Sequence, residues 1–294
     1  MSVHVRSLHI YPVKSCAGIT LHESAIDRAG LHQDRRWVVM ANGKFLTQRQ
    51  LPAMALIQPA LSDSHLRLHA PGMQPLAIAL DGSELADRAE PVTVWRDTMP
   101  ARSQGDAAAR WFSDFLKLPC QLFKIDVVQA QRLADPQWVT PWLRTHAEMA
   151  QGMAAAFAAE NPFGFADGFP VLVANQASLD ELNRHLAARG HGAVPMDRFR
   201  ANIVLEGELP AYEEDHAALI RVGDVGIALV KPCTRCSIPD VDQATGVRRD
   251  EPGRTLAATR SFDAGVMFGV NGIVAAPPGA VLRVGDAVEV EIDF

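Results

Sequence analysis

The last eight residues, AVEVEIDF at positions 287–294, alternate apolar and polar side chains almost without a break. A period of two places one set of side chains on a buried face and leaves Glu289 and Glu291 on the other. On a helix the same residues would be scattered around the surface. The chain begins in the same way, with VHVRSLHIYPV at 3–13. RRWVVM and KFLTQ flank Asn42-Gly43, a strong two-residue hairpin signal. LRLHA and LAIAL lie on either side of Pro71-Gly72, and EPVTVW adds another strand. FPVLVAN reads as a buried strand and ANIVLEG as one more. RVGD occurs at 221–224 and again at 283–286, each time as a Gly-Asp turn between apolar runs. This pattern predicts a mostly β protein with some helix (α+β), of barrel-like construction. At 294 residues the chain has room for one large or two moderate domains. Pro119-Cys120 is the best division, giving residues 1–119 and 120–294.

The helical signals are few. Asp106 is placed to cap a helix with Ala107, Trp111 and Phe115 on one face and Pro119 beyond its end. The segment from about Val127 to Gly164 is less regular. Within it EMAQGMAAAFAAENP is alanine-rich and predicted helical up to Asn161-Pro162. Ser178 and Glu181 form a capping box ahead of a Leu179, Leu182, Leu186 stripe, with Gly190 as the stop.

A net charge of −6 argues against general nucleic-acid binding, which calls for a basic face. It leaves room for a local basic cluster holding an anion. No apolar run reaches the ~18 residues of a membrane helix, and the N-terminus lacks a signal-peptide core. The expectation is a cytoplasmic protein with no membrane partner. Four cysteines are too few for a disulfide scaffold, so reduced thiols are expected.

Two of those thiols stand together in VKPCTRCSIPDVDQATG, as Cys233 and Cys236. A structural zinc site needs four ligands, and Cys16 and Cys120 are solitary. A thioredoxin-like pair opens a helix, which Pro239 and the Gln-Ala-Thr-Gly turn discourage. Two inert buried cysteines would be the ordinary outcome. Lys231 and Arg235 nevertheless favour a thiolate here, a soft ligand suited to a heavier transition metal. In YPVKSCAGI, Lys14, Ser15 and the loop amides offer donors to a phosphate. DRRW and DRFRANIVL set Arg35, Arg36, Arg198 and Arg200 just before strands, an arrangement compatible with an anion site.

YPVKSCAGI, DRRW, FRANIV, KPCTRCSIPDVDQATG and MFGVN ahead of LRVGDAVEV together resemble the MOSC proteins that carry an N-terminal MOSC β-barrel domain. The mitochondrial amidoxime-reducing component and the bacterial YcbX-type proteins are nearest in kind. The resemblance runs over nearly the whole chain, in the same order. It implies residues 1–119 as the N-terminal MOSC β-barrel domain and 120–294 as the MOSC domain. It also implies a molybdenum cofactor, whose metal is ligated by the second cysteine of the motif, here Cys236. Lys14, Ser15 and Arg35 would meet the cofactor's phosphate or pterin. Arg200, Asn202, Thr234, Arg235 and Asn271 would be further cofactor contacts. At Asn271 the mitochondrial relatives have tyrosine, and where this chain has Gly168-Phe169, after Asp167, they have Thr-Ser. Asp240, close to Cys236 in sequence, is a candidate for proton transfer, against the plainer role of a turn residue.

The activity implied is reduction of N-hydroxylated compounds such as hydroxylamines, N-hydroxypurines or amidoximes. Some YcbX-type proteins carry a C-terminal ferredoxin domain, and this chain has too few remaining cysteines for an iron–sulfur cluster. Electrons would come from a separate donor protein of ferredoxin or flavoprotein type. The alternative is a sulfur carrier or cofactor-handling protein using a persulfide on Cys236. A third possibility is a β-barrel adaptor without cofactor, against which Cys236, Lys14 and Arg200 argue. A pyridoxal-phosphate role for Lys14 is disfavoured, because no acidic partner for a pyridine nitrogen can be identified.

Overall fold

The computed structural model describes residues 2–127 and 132–293. Residues 128–131 of the irregular middle stretch and Phe294 of the closing alternation lie outside the described residues. In chain order the main elements are β1 (Val3–Ile10), β2 (Trp37–Ala41), β3 (Lys44–Phe45), β4 (Ala89–Val94), β5 (Asp97–Ser103), α1 (Gly105–Leu116) and β6 (Gln121–Ile125). They continue with α2 (Pro136–Thr145), α3 (Ala154–Ala158), β7 (Val171–Asn175), α4 (Gln176–Ala188), β8 (Ile203–Glu206) and β9 (Ala217–Val222). The last are β10 (Val225–Thr234), α5 (Gly253–Thr259), β11 (Gly265–Ala275) and β12 (Ala287–Ile292).

Seven strands close a barrel in the order β7-β8-β1-β12-β9-β10-β11, and β11 pairs back onto β7. Only the β7–β8 pair is parallel. Closure removes the exposed edges that an open sheet of this length would present. The barrel interior is filled by alternate side chains, among them Val5, Leu8, Val173, Ile203, Ile220, Ile227 and Val274. Outside it, α4 packs Leu179, Leu182 and Leu186 on Leu172 and Val204. On another flank α2 and α3 cover Leu219, Ala228 and Ile273 with Val139, Trp142 and Phe157.

The second body is a five-stranded antiparallel sheet, β4-β5-β6-β2-β3. Every residue of β2 is buried because both of its faces are covered. Val39 and Trp37 pack toward α1, while Val38 and Met40 pack with Phe123 and Phe165. The Asn42-Gly43 hairpin forms as expected, and both residues have positive φ (50° and 70°). Strand pairing crosses the expected Pro119-Cys120 division in both directions. β1 is a stave of the C-terminal barrel, and β6 lies in the N-terminal sheet beside β2.

Three local expectations are corrected. The first helix begins at Gly105 with Gln104 as N-cap and ends at Lys117 in the left-handed region. Its buried stripe is Ala108, Trp111, Phe112 and Leu116, with Ala107 exposed and Asp106 inside the first turn. The capping box does not form. Asn175 caps the helix by accepting from the Ala177 amide, so Ser178 lies within the first turn and donates instead to Glu214 (2.7 Å). The alanine-rich stretch contributes only the five residues of α3, while α2, capped by Asp135 with Pro136 at its first position, was masked by Pro141 inside it.

Glu214 is wholly buried, and its Oε1 has no hydrogen-bond partner among the described residues. Burial pushes its pKa up to about 7, against the opposing hydrogen bond from Ser178. The folded state therefore holds a proton that the unfolded chain releases at lower pH. Stability is lost as pH rises from the ordinary carboxylate range through about 7. Glu214→Gln is expected to stabilise the protein by roughly 2–3 kcal/mol at pH 8, with the gain shrinking toward pH 5. Urea titrations of both proteins at the two pH values measure this, and a pH-independent difference would refute it.

Candidate functional site

Six chain segments meet where the sheet body abuts the barrel. After Ile10 the chain leaves the barrel, and Tyr11–Lys14 runs beside Arg35–Trp37. The pairing bonds are Arg35 N–H to Tyr11 O (3.0 Å), Trp37 N–H to Pro12 O (3.0 Å) and Lys14 N–H to Trp37 O (2.8 Å). On the other side Asn202 is clamped between His9 and Leu172, accepting from the His9 amide and donating its own N–H to Leu172 O, each at 2.8 Å. The C-terminal end of β10 carries Lys231, Cys233 and Thr234, and Asn271 stands in the middle of β11, paired with Lys231 on one side and Leu172 on the other. The loop 165–169 completes the ring.

These segments enclose a cavity of about 410 Å³. Its wall includes Lys14, Ser15, Arg35, Arg200, Asn202, Thr234, Arg235, Cys236 and Asn271. All nine residues singled out for a cofactor or its metal thus face one space. The wall carries six cationic side chains (Lys14, Arg35, Arg49, Arg200, Lys231 and Arg235) and one carboxylate, Asp167. In a chain of net charge −6 this is a concentrated positive field in a concave, partly desolvated place, the setting in which an anion is held most strongly.

The cations are fixed rather than floating. Arg35 donates to Asp34 Oδ2 (2.5 Å), Asn202 Oδ1 (2.9 Å) and Arg200 O (3.1 Å). Arg200 donates to Cys16 O (2.7 Å). Both guanidinium groups stack on Tyr11, with carbons 4.5 and 4.2 Å from the ring centroid. Burial pushes the Tyr11 phenol up to about 12 and the Arg200 guanidinium down to about 10. Lys14 is buried and donates to Phe165 O (2.7 Å) and Asp167 Oδ1 (2.6 Å). Burial lowers its pKa, with Asp167 working against that shift. Asp167 is exposed at the rim; crowding by the wall disfavours its carboxylate, but Lys14, the Trp95 indole N–H and Arg35 outweigh this and hold its pKa well below the ordinary carboxylate range.

The backbone is strained at the same place. Ser15, Arg35 and Arg200 have φ of 66°, 48° and 57°, a region that costs a non-glycine residue about 1–2 kcal/mol. Such outliers collect where geometry serves a ligand rather than the fold. Gly164, just before the 165–169 loop, packs its backbone on Arg35, where an added Cβ would collide with Arg35 O.

The two cysteines differ. Cys236 is exposed and Cys233 half-buried, and both line the cavity. Arg235 donates to Cys233 Sγ (3.0 Å) and Phe199 O (2.7 Å), so of the two thiols it is Cys233 that takes its hydrogen bond. Its buried Nε finds no partner among the described residues. Lys231 lies over the Trp138 ring instead of a sulfur, 5.0 Å from the centroid. Cys16 and Cys120 are buried, and burial pushes both thiols up, Cys16 to about 12. Asp240 is not among the described residues lining the cavity. Its Oδ1 accepts from the Gly253 amide (2.8 Å) at the start of α5, and burial raises its pKa.

Residues 2–119 match the MOSC N-terminal beta barrel domain, and residues 160–289 match the MOSC domain. The rat protein named mitochondrial amidoxime reducing component 2 is 31% identical over 269 residues, covering 89% of this chain and 74% of its own. The mouse mitochondrial amidoxime-reducing component 1 is 32% identical, with coverage of 88% and 72%. The chain belongs to the MOSC family. A molybdenum cofactor sulfurase from Aspergillus niger is 31% identical over 90% of this chain, which spans only 38% of that relative.

Several wall residues of this MOSC protein carried no signal in the sequence. Thr47, Arg49 and Trp95 come from the N-terminal body and reach the cavity only through the packing of the two bodies. Gln48 and Gln243, both buried, exchange hydrogen bonds (2.9 and 3.0 Å) and tie that segment to the turn after the cysteine loop. Of the four arginines placed before strands, Arg35 and Arg200 face the cavity. Arg198 holds the cysteine loop through Pro239 O and Asp242 (3.0 and 2.7 Å), and Arg36 faces a separate cleft.

Proposed function

We propose that this MOSC protein binds a molybdenum cofactor in the cavity and reduces N-hydroxylated small molecules with electrons from a separate donor protein of ferredoxin or flavoprotein type. The observation that carries the proposal is one exposed thiol, Cys236, in a wall of six cations. The residues fit such a group on three counts. A phosphate-bearing pterin is an anion, and Lys14, Arg35, Arg200 and the unpartnered Nε of Arg235 offer donors. Cys236 offers an exposed soft donor of the kind a heavy transition metal prefers. Among the described residues no group of three or more His, Cys, Asp or Glu is arranged to hold a metal, so the remaining donors would be the cofactor's own dithiolene sulfurs.

When bound, the cofactor would supply two-electron redox chemistry that removes oxygen from nitrogen. The chain's part is binding and orientation. Arg35 and Arg200, stacked on Tyr11, present a rigid cationic floor that needs no reorganisation when an anion arrives. Lys14 and Asp167 hold each other charged at the rim, and Asp167 is the acidic side chain placed to orient a substrate's N–H or O–H. The likeness to amidoxime-reducing components favours this reading.

The test is to purify the protein from a cofactor-competent host, measure molybdenum by mass spectrometry and assay hydroxylamine reduction with an artificial electron donor. Equimolar molybdenum and turnover are expected. Absence of both would overturn the proposal. The likeness to sulfurases, together with a second thiol in the same cavity, supports sulfur carriage as the alternative. A persulfide on Cys236 in a preparation without turnover would favour it.

A further inference from the structure

Trp95 is an exposed aromatic in an unusual place. It is the first of two residues linking β4 to β5, and Val94 pairs with Asp97 across the turn. Its φ is +58°, in a turn position that hairpins of this length usually give to glycine or asparagine. A bulky aromatic is disfavoured there. It also remains 46% exposed, among the few large apolar side chains so placed.

Three contacts hold the ring despite this. Its Nε1–H donates to Asp167 Oδ1 (2.9 Å), the same oxygen that accepts from Lys14. The Arg49 guanidinium carbon lies 4.5 Å from the ring centroid. Phe45 meets it edge-on with centroids 5.0 Å apart. Trp95, Arg49 and Asp167 all line the cavity that holds Cys236. A strained, solvent-facing residue that is held still by its neighbours points to a ligand rather than to packing.

We infer that Trp95 is a specificity-determining residue, a fixed aromatic wall against which a planar conjugated N-hydroxylated substrate stacks at the mouth of the site. The inference rests on the proposed function for the word substrate, but the binding it describes needs no turnover. Arg49 on the ring makes the platform rigid, and a rigid platform loses little entropy when a planar partner arrives. Alkyl analogues gain contact but no stacking.

A matched pair of probes isolates the ring: benzamidoxime, which is planar and conjugated, and acetamidoxime, which carries only a methyl group. Binding of each is measured calorimetrically to the holoprotein, in wild type, Trp95→Gly, Trp95→Leu and Trp95→Phe. KM and kcat are measured alongside. The wild type is expected to prefer benzamidoxime, and the preference falls roughly tenfold in the Gly and Leu variants, mainly in KM. Trp95→Phe, which keeps a ring but loses the N–H to Asp167, retains most of it. If both probes weaken equally, or neither does, in the variants that fold, the role is structural and the inference is overturned. If Trp95→Gly does not fold, Trp95→Leu against Trp95→Phe decides. A holoprotein that binds benzamidoxime through Trp95 without reducing it would refute the proposed activity and leave this inference standing.

Discussion

Cys236→Ser is expected to abolish turnover, with a loss on the order of 100-fold or more, and to reduce bound molybdenum while leaving the fold intact. Cys236 is exposed, so its side chain contributes little to packing. A serine hydroxyl stays protonated at neutral pH and is a hard donor, so it replaces neither the charge nor the softness of a thiolate. Cys233→Ser is the informative comparison. Arg235 donates to Cys233 Sγ at 3.0 Å, and a serine oxygen keeps an acceptor for that guanidinium. The loss there should be about tenfold or less. Molybdenum content and turnover of the two variants, measured side by side, check the assignment. Equal losses would mean that both sulfurs bind, and full activity of Cys236→Ser would end its role as ligand.

The largest stability effect is expected at Arg35. Asp34 is 4% exposed and also accepts from the Tyr11 amide (2.8 Å), so it cannot turn to water when its partner is removed. Burial alone would lower the Arg35 pKa, but Asp34 beside it outweighs that and raises it. Arg35→Ala leaves a buried carboxylate unpaired and frees Asn202 Oδ1 and Arg200 O from one donor each. The expected cost is about 3–5 kcal/mol, seen as a Tm lower by roughly 10 °C. Adding Asp34→Asn should recover part of it, because the orphaned charge is then gone. Arg35→Lys should still lose stability, since one ammonium cannot span three acceptors in different directions. Differential scanning calorimetry on the three variants checks this, and an unchanged Tm in Arg35→Ala would refute it.

The same residues show why the sequence could be read only so far. Strand alternation and the Asn42-Gly43 and RVGD turns are local, and each was legible because backbone geometry at a turn is set by the residues in it. The capping box failed for a tertiary reason. Ser178 had a better partner in buried Glu214, and Asn175, three residues before the expected cap, took its place. The helix over 136–145 was obscured by Pro141, whose break in local propensity is overridden by packing of Trp142 and Val139 on the barrel.

The nine residues expected at the site lie in five short motifs that the family resemblance singled out together, and all nine line the cavity. Trp95, Arg49 and Thr47 had no such mark, since an aromatic in a hairpin and an arginine in a loop are common. Asp240, expected from its closeness to Cys236 along the chain, is not among the described cavity-lining residues and accepts from the Gly253 amide at the start of α5.

Sequence alone determined the class of fold and the motifs that carry charge and sulfur, while Cys236 as the ligand is what the family resemblance implies. Alternation, turn chemistry and residue type are properties of a few adjacent positions. The tertiary structure decided which cations share one cavity, that Arg235 serves Cys233, and that a tryptophan from the N-terminal body forms part of the site's wall. Those facts depend on β1 lying in the barrel and β6 in the sheet, pairings between residues far apart in the chain that local preference cannot encode.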